Sequence, residues 1–443
     1  MFDTVAIIIG IVIGAGIFRL PSLVAANLES DGLILAAWAA GGAISLIGAL
    51  CFAELIAAFP HAGGEYHFLV RAYGRRCGFM FGWARMTVVQ TGSIAMLAFI
   101  FGDYAAQIAP LGVHGAAIHA ALAVGVLTAL NMVGLRQSRT IRNILATATV
   151  LGLTAVVACG LLLAPKTAPT AAVIDGAGGA GSFGLAMVFV LLTYGGWNEA
   201  AYVAAEMRDV RRKMVRALLL GIGLITLIYI AVNLAYVTVL GAAGMAASQA
   251  VAREMMQLVL GPAGEASITV LILLVVLASI NGTVITGART NYAFGRDFPI
   301  FGFLAGWHGR ANAPIPALLL QAAIALALIL LGALDRRGVE TAIEYLSPVF
   351  WLFFLLVGLS LFVLRRREPH VERPFRVPLY PVTPALFCLT SAGLLWSSLS
   401  YTGGGAIGGI AVLALGVPLL IANRYRARRQ PDGGRQSGDS HRR

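Results

Sequence analysis

The sequence predicts an all-α polytopic membrane protein, and three observations carry that fold class. Hydrophobic residues fill 59% of the 443 positions and charged residues only 12%, about half the charged share of a soluble domain. Mean hydropathy is +0.84. Apolar runs of about 20 residues, the length that crosses a bilayer as helix, recur twelve times, at 3–27, 33–58, 79–109, 115–133, 143–164, 182–206, 215–240, 265–292, 315–334, 342–364, 380–400 and 404–423.

The first run is interrupted. Ile13-Gly14-Ala15-Gly16-Ile17-Phe18 sets two glycines inside an apolar segment, where each weakens a helix by roughly 1 kcal/mol relative to Ala. Unpaired backbone facing lipid costs several kcal/mol per group, so a break here must line a cavity. The second run leads into a loop, His61 to Gly78, that mixes Phe68, Leu69, Val70 and Tyr73 with Arg71, Arg75 and Arg76. That pattern suits a short amphipathic helix, interfacial or re-entrant. Runs three to five are apolar segments, with Arg85 at the start of the third. The sixth carries a second interruption, Tyr194-Gly195-Gly196-Trp197-Asn198. Runs seven and eight lead to Phe294–Asn312, a second candidate surface helix, and runs nine to twelve follow. From 425 to 443 the chain is polar, basic and Gly-rich, which predicts a disordered cytoplasmic tail. No cleavable signal peptide is expected, because the first run has no basic stretch before it and contains the break.

Orientation follows from the basic residues. With the N-terminus inside, the internal loops and tail hold 26 of the 32 Lys and Arg, which places both termini in the cytoplasm of a multi-pass cytoplasmic (inner) membrane protein. Helices one to five (1–164) and six to ten (165–365) then form two repeats, with helices eleven and twelve (366–424) appended. An odd count per repeat inverts the second. Both breaks fall in the first helix of a repeat, and such a matched pair of interrupted helices points to a transporter's binding site at the midplane.

Other function classes lose support. The net charge of +12 lies in short stretches between apolar runs rather than on one face of a soluble fold, so no nucleic-acid partner is expected. Cys51, Cys77, Cys159 and Cys388 lack metal-ligand spacing, as do the single histidines at 61, 67, 114, 119 and 308. No Walker loop is present, so neither an enzyme, an ATP-driven pump nor a bound cofactor is expected. A channel would need a continuous polar stripe along several helices, and a receptor a sizeable soluble domain; the sequence shows neither.

Several motifs in order resemble the amino acid-polyamine-organocation superfamily of transporters, and within it the L-type amino acid transporters. They are Gly14-Ala15-Gly16-Ile17-Phe18; Phe59-Pro60-His61-Ala62-Gly63-Gly64-Glu65-Tyr66; Gly82-Trp83; Tyr194-Gly195-Gly196-Trp197-Asn198; Tyr229, Asn233, Ala235 and Tyr236; Asn281-Gly282 with Arg289, Tyr292 and Arg296-Asp297; and Arg373-Pro374-Phe375-Arg376-Val377-Pro378. The resemblance spans about residues 5–400. It implies a broken-helix fold of inverted five-helix repeats with helices one and six unwound. It implies alternating access and, most directly, sodium-independent exchange of neutral L-amino acids. Proton- or sodium-coupled uptake, and a cationic amino acid or polyamine as substrate, are the alternatives. Animal members of the family bind a partner glycoprotein through an outer-loop cysteine, and no such cysteine occurs here, so no disulfide-linked partner is expected.

The expected substrate site is Ile13, Gly14, Ala15, Gly16 and Ile17 with Leu192, Thr193, Tyr194, Gly195, Gly196, Trp197, Asn198 and Tyr229. Free N–H groups and the positive dipole end of the half-helix after Gly16 can receive a carboxylate without a charged side chain. Carbonyls near Leu192 and Thr193 can accept from an ammonium. The plainer reading of the glycines is close helix packing. Trp197 either borders the pocket or anchors the membrane interface. Tyr229 either braces the break through its hydroxyl or is a core tyrosine.

Two positions depart from the family. Where many relatives carry a lysine in helix five, this chain has Thr149, and a cation site of Thr149 with Ser279 or Asn281, or no ion at all, can stand in its place. Glu199 follows the second break where a neutral residue is commoner; intramembrane acids are costly, so it is either a coupling or selectivity group, one side of a structural ion pair, or on a face turned to water.

Overall fold

The computed structural model describes residues 12–28, 30–61, 63–134, 139–163, 180–199, 201, 210–309, 312–335, 337–401 and 403–429. Among the described residues fourteen α-helices follow one another: α1 (Gly16–Leu28), α2 (Asp31–Ala58), α3 (Gly64–Tyr73), α4 (Arg75–Ala84), α5 (Gln90–Ile108), α6 (Gly115–Val133), α7 (Arg139–Leu162), α8 (Ala180–Thr193), α9 (Val210–Ala247), α10 (Val251–Asp297), α11 (Ile315–Asp335), α12 (Gly338–Arg367), α13 (Val382–Tyr401) and α14 (Gly404–Arg429). No strand occurs among the described residues, only the single bridge His308–Ala313.

Each of the twelve apolar runs overlaps a helix among the described residues. Nine helices among the described residues are long and apolar enough to cross a membrane, and the first, fifth and sixth runs hold shorter apolar helices, Gly16–Leu28, Thr147–Leu162 and Phe183–Thr193. The chain is therefore a multi-pass membrane protein. Its outward faces are apolar, as at Leu122, Val126 and Val133 of α6 and Leu330, Leu331 and Leu334 of α11, which suits lipid contact rather than water. Some of its polar side chains turn inward and bond backbone carbonyls of neighbouring helices: Gln90 donates to the Thr283 carbonyl (2.9 Å) and Gln321 to that of Val284 (3.1 Å).

Differences from the sequence reading are local and have causes. The expected surface helix after run two is α3, but in 294–312 the structure forms a short 3-10 stretch, Pro299–Ala305. Apolarity opens run three at 79, whereas the helix begins at Arg75 and runs unbroken through a wide π turn, Arg85–Val89. Arg85 thus lies about three turns inside rather than at a helix start. The π turn frees the Thr87 carbonyl, which accepts from the Tyr345 hydroxyl (2.9 Å) and from Thr91 Oγ1 (2.8 Å). α9 and α10 extend beyond their runs across kinks at Gly241 and Gly261. α14 continues to Arg429, into the expected tail, where basic residues favour a helix C-terminus; residues 430–443 lie outside the described ones.

On α3, the rings of His61 and His67 stack at 4.2 Å. Burial, the neighbouring His61 and the charge of Arg71 push His67 down to about 4, from an ordinary value near 6.5. A depressed histidine contributes stability that is present above about pH 6.5 and is lost as pH falls toward 4. The melting temperature of the purified protein should therefore fall across that window, and His67→Phe should flatten the fall. An unchanged slope in the variant would remove His67 as its source.

Candidate functional site

The two breaks meet. Val12 is helical, residues 13–15 leave helical form, and α1 begins at Gly16. Within the break Gly14 N–H donates to the Val12 carbonyl (2.8 Å) and Phe18 N–H to that of Ala15 (3.2 Å). The break lies one residue earlier than its glycines suggest, because α1 resumes as soon as Phe18 finds the Ala15 carbonyl. Helix geometry leaves the N–H groups of a first turn without intrahelical acceptors, so the donors at Ala15 to Ile17 stand at the positive end of α1. Ile13, Ala15 and Ile17 are buried and Gly14 and Gly16 nearly so.

The second break begins where α8 ends, at Thr193. Gly195 N–H turns back onto the Leu192 carbonyl (3.2 Å), and Glu199 N–H bonds the Gly196 carbonyl (2.9 Å) to start the 3-10 turn Trp197–Glu199. Gly196 has φ +104°, a conformation in which a Cβ is strained. The C-terminal, negative end of α8 thus lies against the N-terminal, positive end of α1. A methyl placed on Gly16 would come within 3.3 Å of Thr193 Cγ2 and 3.4 Å of Thr193 Cα. The glycine lets two oppositely polarised helix ends touch.

Tyr229 of α9 ties both breaks. Its buried hydroxyl lies 3.1 Å from the Val12 carbonyl and 3.3 Å from that of Thr193, so one donor serves the last carbonyl before each break in turn. Tyr194 donates to the Trp38 carbonyl at 2.9 Å. The rings of Trp38, Tyr194 and Tyr229 pack against one another with centroids 5.0–6.0 Å apart, a rigid apolar wall behind the break. The carbonyls of Leu192 and Thr193 each have a donor already, but a carbonyl has two lone pairs and keeps room for another.

Trp197 is buried against Phe52 (5.0 Å) and Phe354 (5.7 Å), a core position that excludes the interfacial anchor. A narrow crevice between α2, α8, α12 and α13 reaches Gly195 and Trp197 and is walled by Ser45, Trp351 and Phe354 among others; it does not touch the first break. Asn198 donates to Glu65 Oε1 (3.3 Å). Glu199 accepts from Arg85 at 2.8 and 3.0 Å, and Arg85 also lies 3.6 Å from Glu65. Glu199 is therefore ion-paired in this structure, its side chain 30% exposed.

The cation-site candidates divide. Ser279 of α10 lies 3.8 Å from where a Gly14 methyl would sit, and its hydroxyl bonds the Val275 carbonyl (3.0 Å). Asn281 accepts instead from Asn131 of α6 (2.7 Å). Thr149 is buried on α7, which packs against α10, and donates to the Leu145 carbonyl (2.7 Å).

Sequence reasoning missed Arg85, Glu65 and Trp38 as neighbours of the second break. It also missed Arg19, buried one turn beyond the first break, 3.6 Å from Asp103 and 3.4 Å from Glu340. A basic residue inside an apolar run was the available signal.

Comparison with known proteins matches the family model for amino acid permeases to residues 1–409. The human b(0,+)-type amino acid transporter 1 is 32% identical over 402 residues, covering 89% of this chain and 81% of the relative. The mouse large neutral amino acids transporter small subunit 2 is 30% identical over 444 residues, covering 95% and 79%.

Proposed function

The chain belongs to the amino acid permease family, and from that premise we propose that it moves small neutral L-amino acids across the cytoplasmic membrane by sodium-independent exchange. One observation carries the site: the positive end of α1 and the negative end of α8 touch at Gly16 and Thr193, braced by one hydroxyl from Tyr229. A zwitterion fits that pairing, its carboxylate toward the N–H groups at Ala15 to Ile17 and its ammonium toward the carbonyls of Leu192 and Thr193. It is a transporter's site rather than an enzyme's, with no reacting side chain required.

The same reading takes twelve spans, with α1, α2, α4–α5, α6 and α7 as one repeat (1–164), α8 to α12 as its inverted copy (165–365), and α13 and α14 (366–424) outside both. Packing supports it. Each helix of the first repeat from the first to the fourth packs on its counterpart five later: α1 on α8, α2 on α9, α5 on α10 and α6 on α11. Contacts also recur between halves, α1–α9 with α8–α2 and α5–α12 with α10–α7. A two-fold relation would impose both regularities. Both termini then face the cytoplasm, and amino acid and lipid are the expected partners, with no disulfide-linked subunit.

Flux into proteoliposomes with and without internal amino acid tests exchange. Uptake should need internal substrate and be indifferent to sodium. Uptake that ignores internal substrate would sink exchange, and failure to saturate would indicate a channel. Ser279 beside Gly14 favours one second reading, a cation held next to the first break; sodium-dependent uptake abolished by Ser279→Ala would establish it. Tyr229→Phe should weaken substrate affinity about tenfold, the share of one buried hydrogen bond, measured by thermal stabilisation with a panel of amino acids. That panel also names the substrate.

A further inference from the structure

Two buried charge clusters stand on the unbroken helix Arg75–Ile108, one at Arg85 about three turns inside its start and one at Asp103 in its last turns, each joined to a segment just past one break. At the first, Arg85, on the π turn, holds Glu199 at 2.8 Å and faces Glu65 at 3.6 Å, while Asn198 donates to the same Glu65. At the second, Asp103 and Glu340 face Arg19, three residues beyond Gly16, which also donates to Ser22. The polarity is reversed between them. The guanidinium is on the unbroken helix at the first cluster and on the broken helix at the second.

From this arrangement we infer that Arg85 is a positioning residue for transport: it clasps the segment after the second break to the unbroken helix and to α3, and that clasp must release for the Arg85 face to open. The inference rests on the alternating-access reading above. Three features support it. Helix α8 ends at Thr193 and the 3-10 turn Trp197–Glu199 follows Gly196 at φ +104°, so this turn is joined to α8 by a non-helical link that can swing more easily than a continuous helix. Arg85 and Glu65 are almost wholly buried, their side chains 5% and 4% exposed, whereas Glu199 is 30% exposed; the pair therefore sits at the edge of the packed interior, where a gate's contact can part. A buried guanidinium cannot lose its carboxylates without gaining water, so breaking the clasp and wetting that face are one event. π turns cluster at functional positions, and this one opens at Arg85 itself.

Both clusters are formed in this structure, so both faces are held shut. Weakening one should bias the protein toward opening on that side alone. The experiment compares the parent, Arg85→Gln, Glu199→Gln and the exchanged pair R85E/E199R, reconstituted in liposomes of known orientation, by hydrogen–deuterium exchange and by KM on each side. For Arg85→Gln and Glu199→Gln, exchange in the peptide around 194–199 should rise severalfold while 16–28 stays at the parent level. KM should shift at least about threefold on the Arg85 face and not on the other. R85E/E199R should bring both back toward the parent. Equal change at both peptides, or a lowered melting temperature with no difference between the two faces, would overturn the inference and leave Arg85 a packing residue. Glu199→Gln, at a partly exposed position, keeps the test alive should the Arg85 variant fail to fold. Amino acid stabilisation of the parent protein tests the substrate site separately, so loss of one reading is not confused with loss of the other.

Discussion

Gly16→Val is expected to lower amino acid affinity by at least about a hundredfold, ~3 kcal/mol, while the protein remains folded and inserted. Even a single methyl at Gly16 would press on Thr193 at 3.3 Å from its side chain and 3.4 Å from its Cα. Valine adds two more carbons on the same side. Overpacking of this kind costs about 1–3 kcal/mol, and here the strain falls on the seam between the ends of α1 and α8. Parting those ends separates the donors for a carboxylate from the acceptors for an ammonium, so the substrate loses both at once. Gly16→Ala should be intermediate, because Thr193 has only a few tenths of an ångström to yield. Binding would be read by thermal stabilisation and by saturable uptake, and integrity by a monodisperse elution profile. A folded Val variant with parental affinity would show that the carboxylate is held elsewhere.

Such a variant could be chosen from the sequence, because a bilayer leaves few ways to write a break. Glycines that interrupt an apolar run are conspicuous, and the matched position of Gly195-Gly196 identified their counterpart. Tyr229 was legible as a possible brace, but not that its single hydroxyl reaches Val12 and Thr193 alike. The ion pairs were not legible at all as pairs. Arg85 and Glu199 lie 114 positions apart, and nothing local states that one charge will meet the other. Arg85 was placed at a helix start because apolarity, not hydrogen bonding, set the boundary of its run. The π turn left no mark in composition. Trp197 stood between two readings until Phe52 and Phe354 enclosed it, since periodicity reports a face but not its depth.

Glu54→Ala is expected to destabilise the protein by about 3–5 kcal/mol, the cost of removing one member of a buried ion pair, seen as a markedly lower melting temperature in detergent. Glu54 is fully buried near the end of α2. Its carboxylate accepts from Arg365 at 2.8 and 2.5 Å and from the Val377 N–H at 2.7 Å, and lies 3.2 Å from Arg373. Alanine would leave Arg365 and the Val377 N–H without their carboxylate and Arg373 without its counter-charge, although Arg373 keeps its bonds to the Leu364, Glu368 and Val371 carbonyls. Glu54→Gln keeps an acceptor for Val377 and should cost less. This cluster contrasts with the one at Arg85. Its carboxylate is wholly enclosed and held by three donors from α12 and the segment after it, so it fits a pivot that survives the transport cycle rather than a contact broken in each turn. The expected result is therefore two-sided: Glu54→Gln lowers the melting temperature and leaves the ratio of KM values on the two faces unchanged, whereas Arg85→Gln shifts that ratio. A changed ratio in Glu54→Gln would mean that α2 also parts from α12 as the site opens, and that the rocking unit includes the end of α2 that Glu54 now pins.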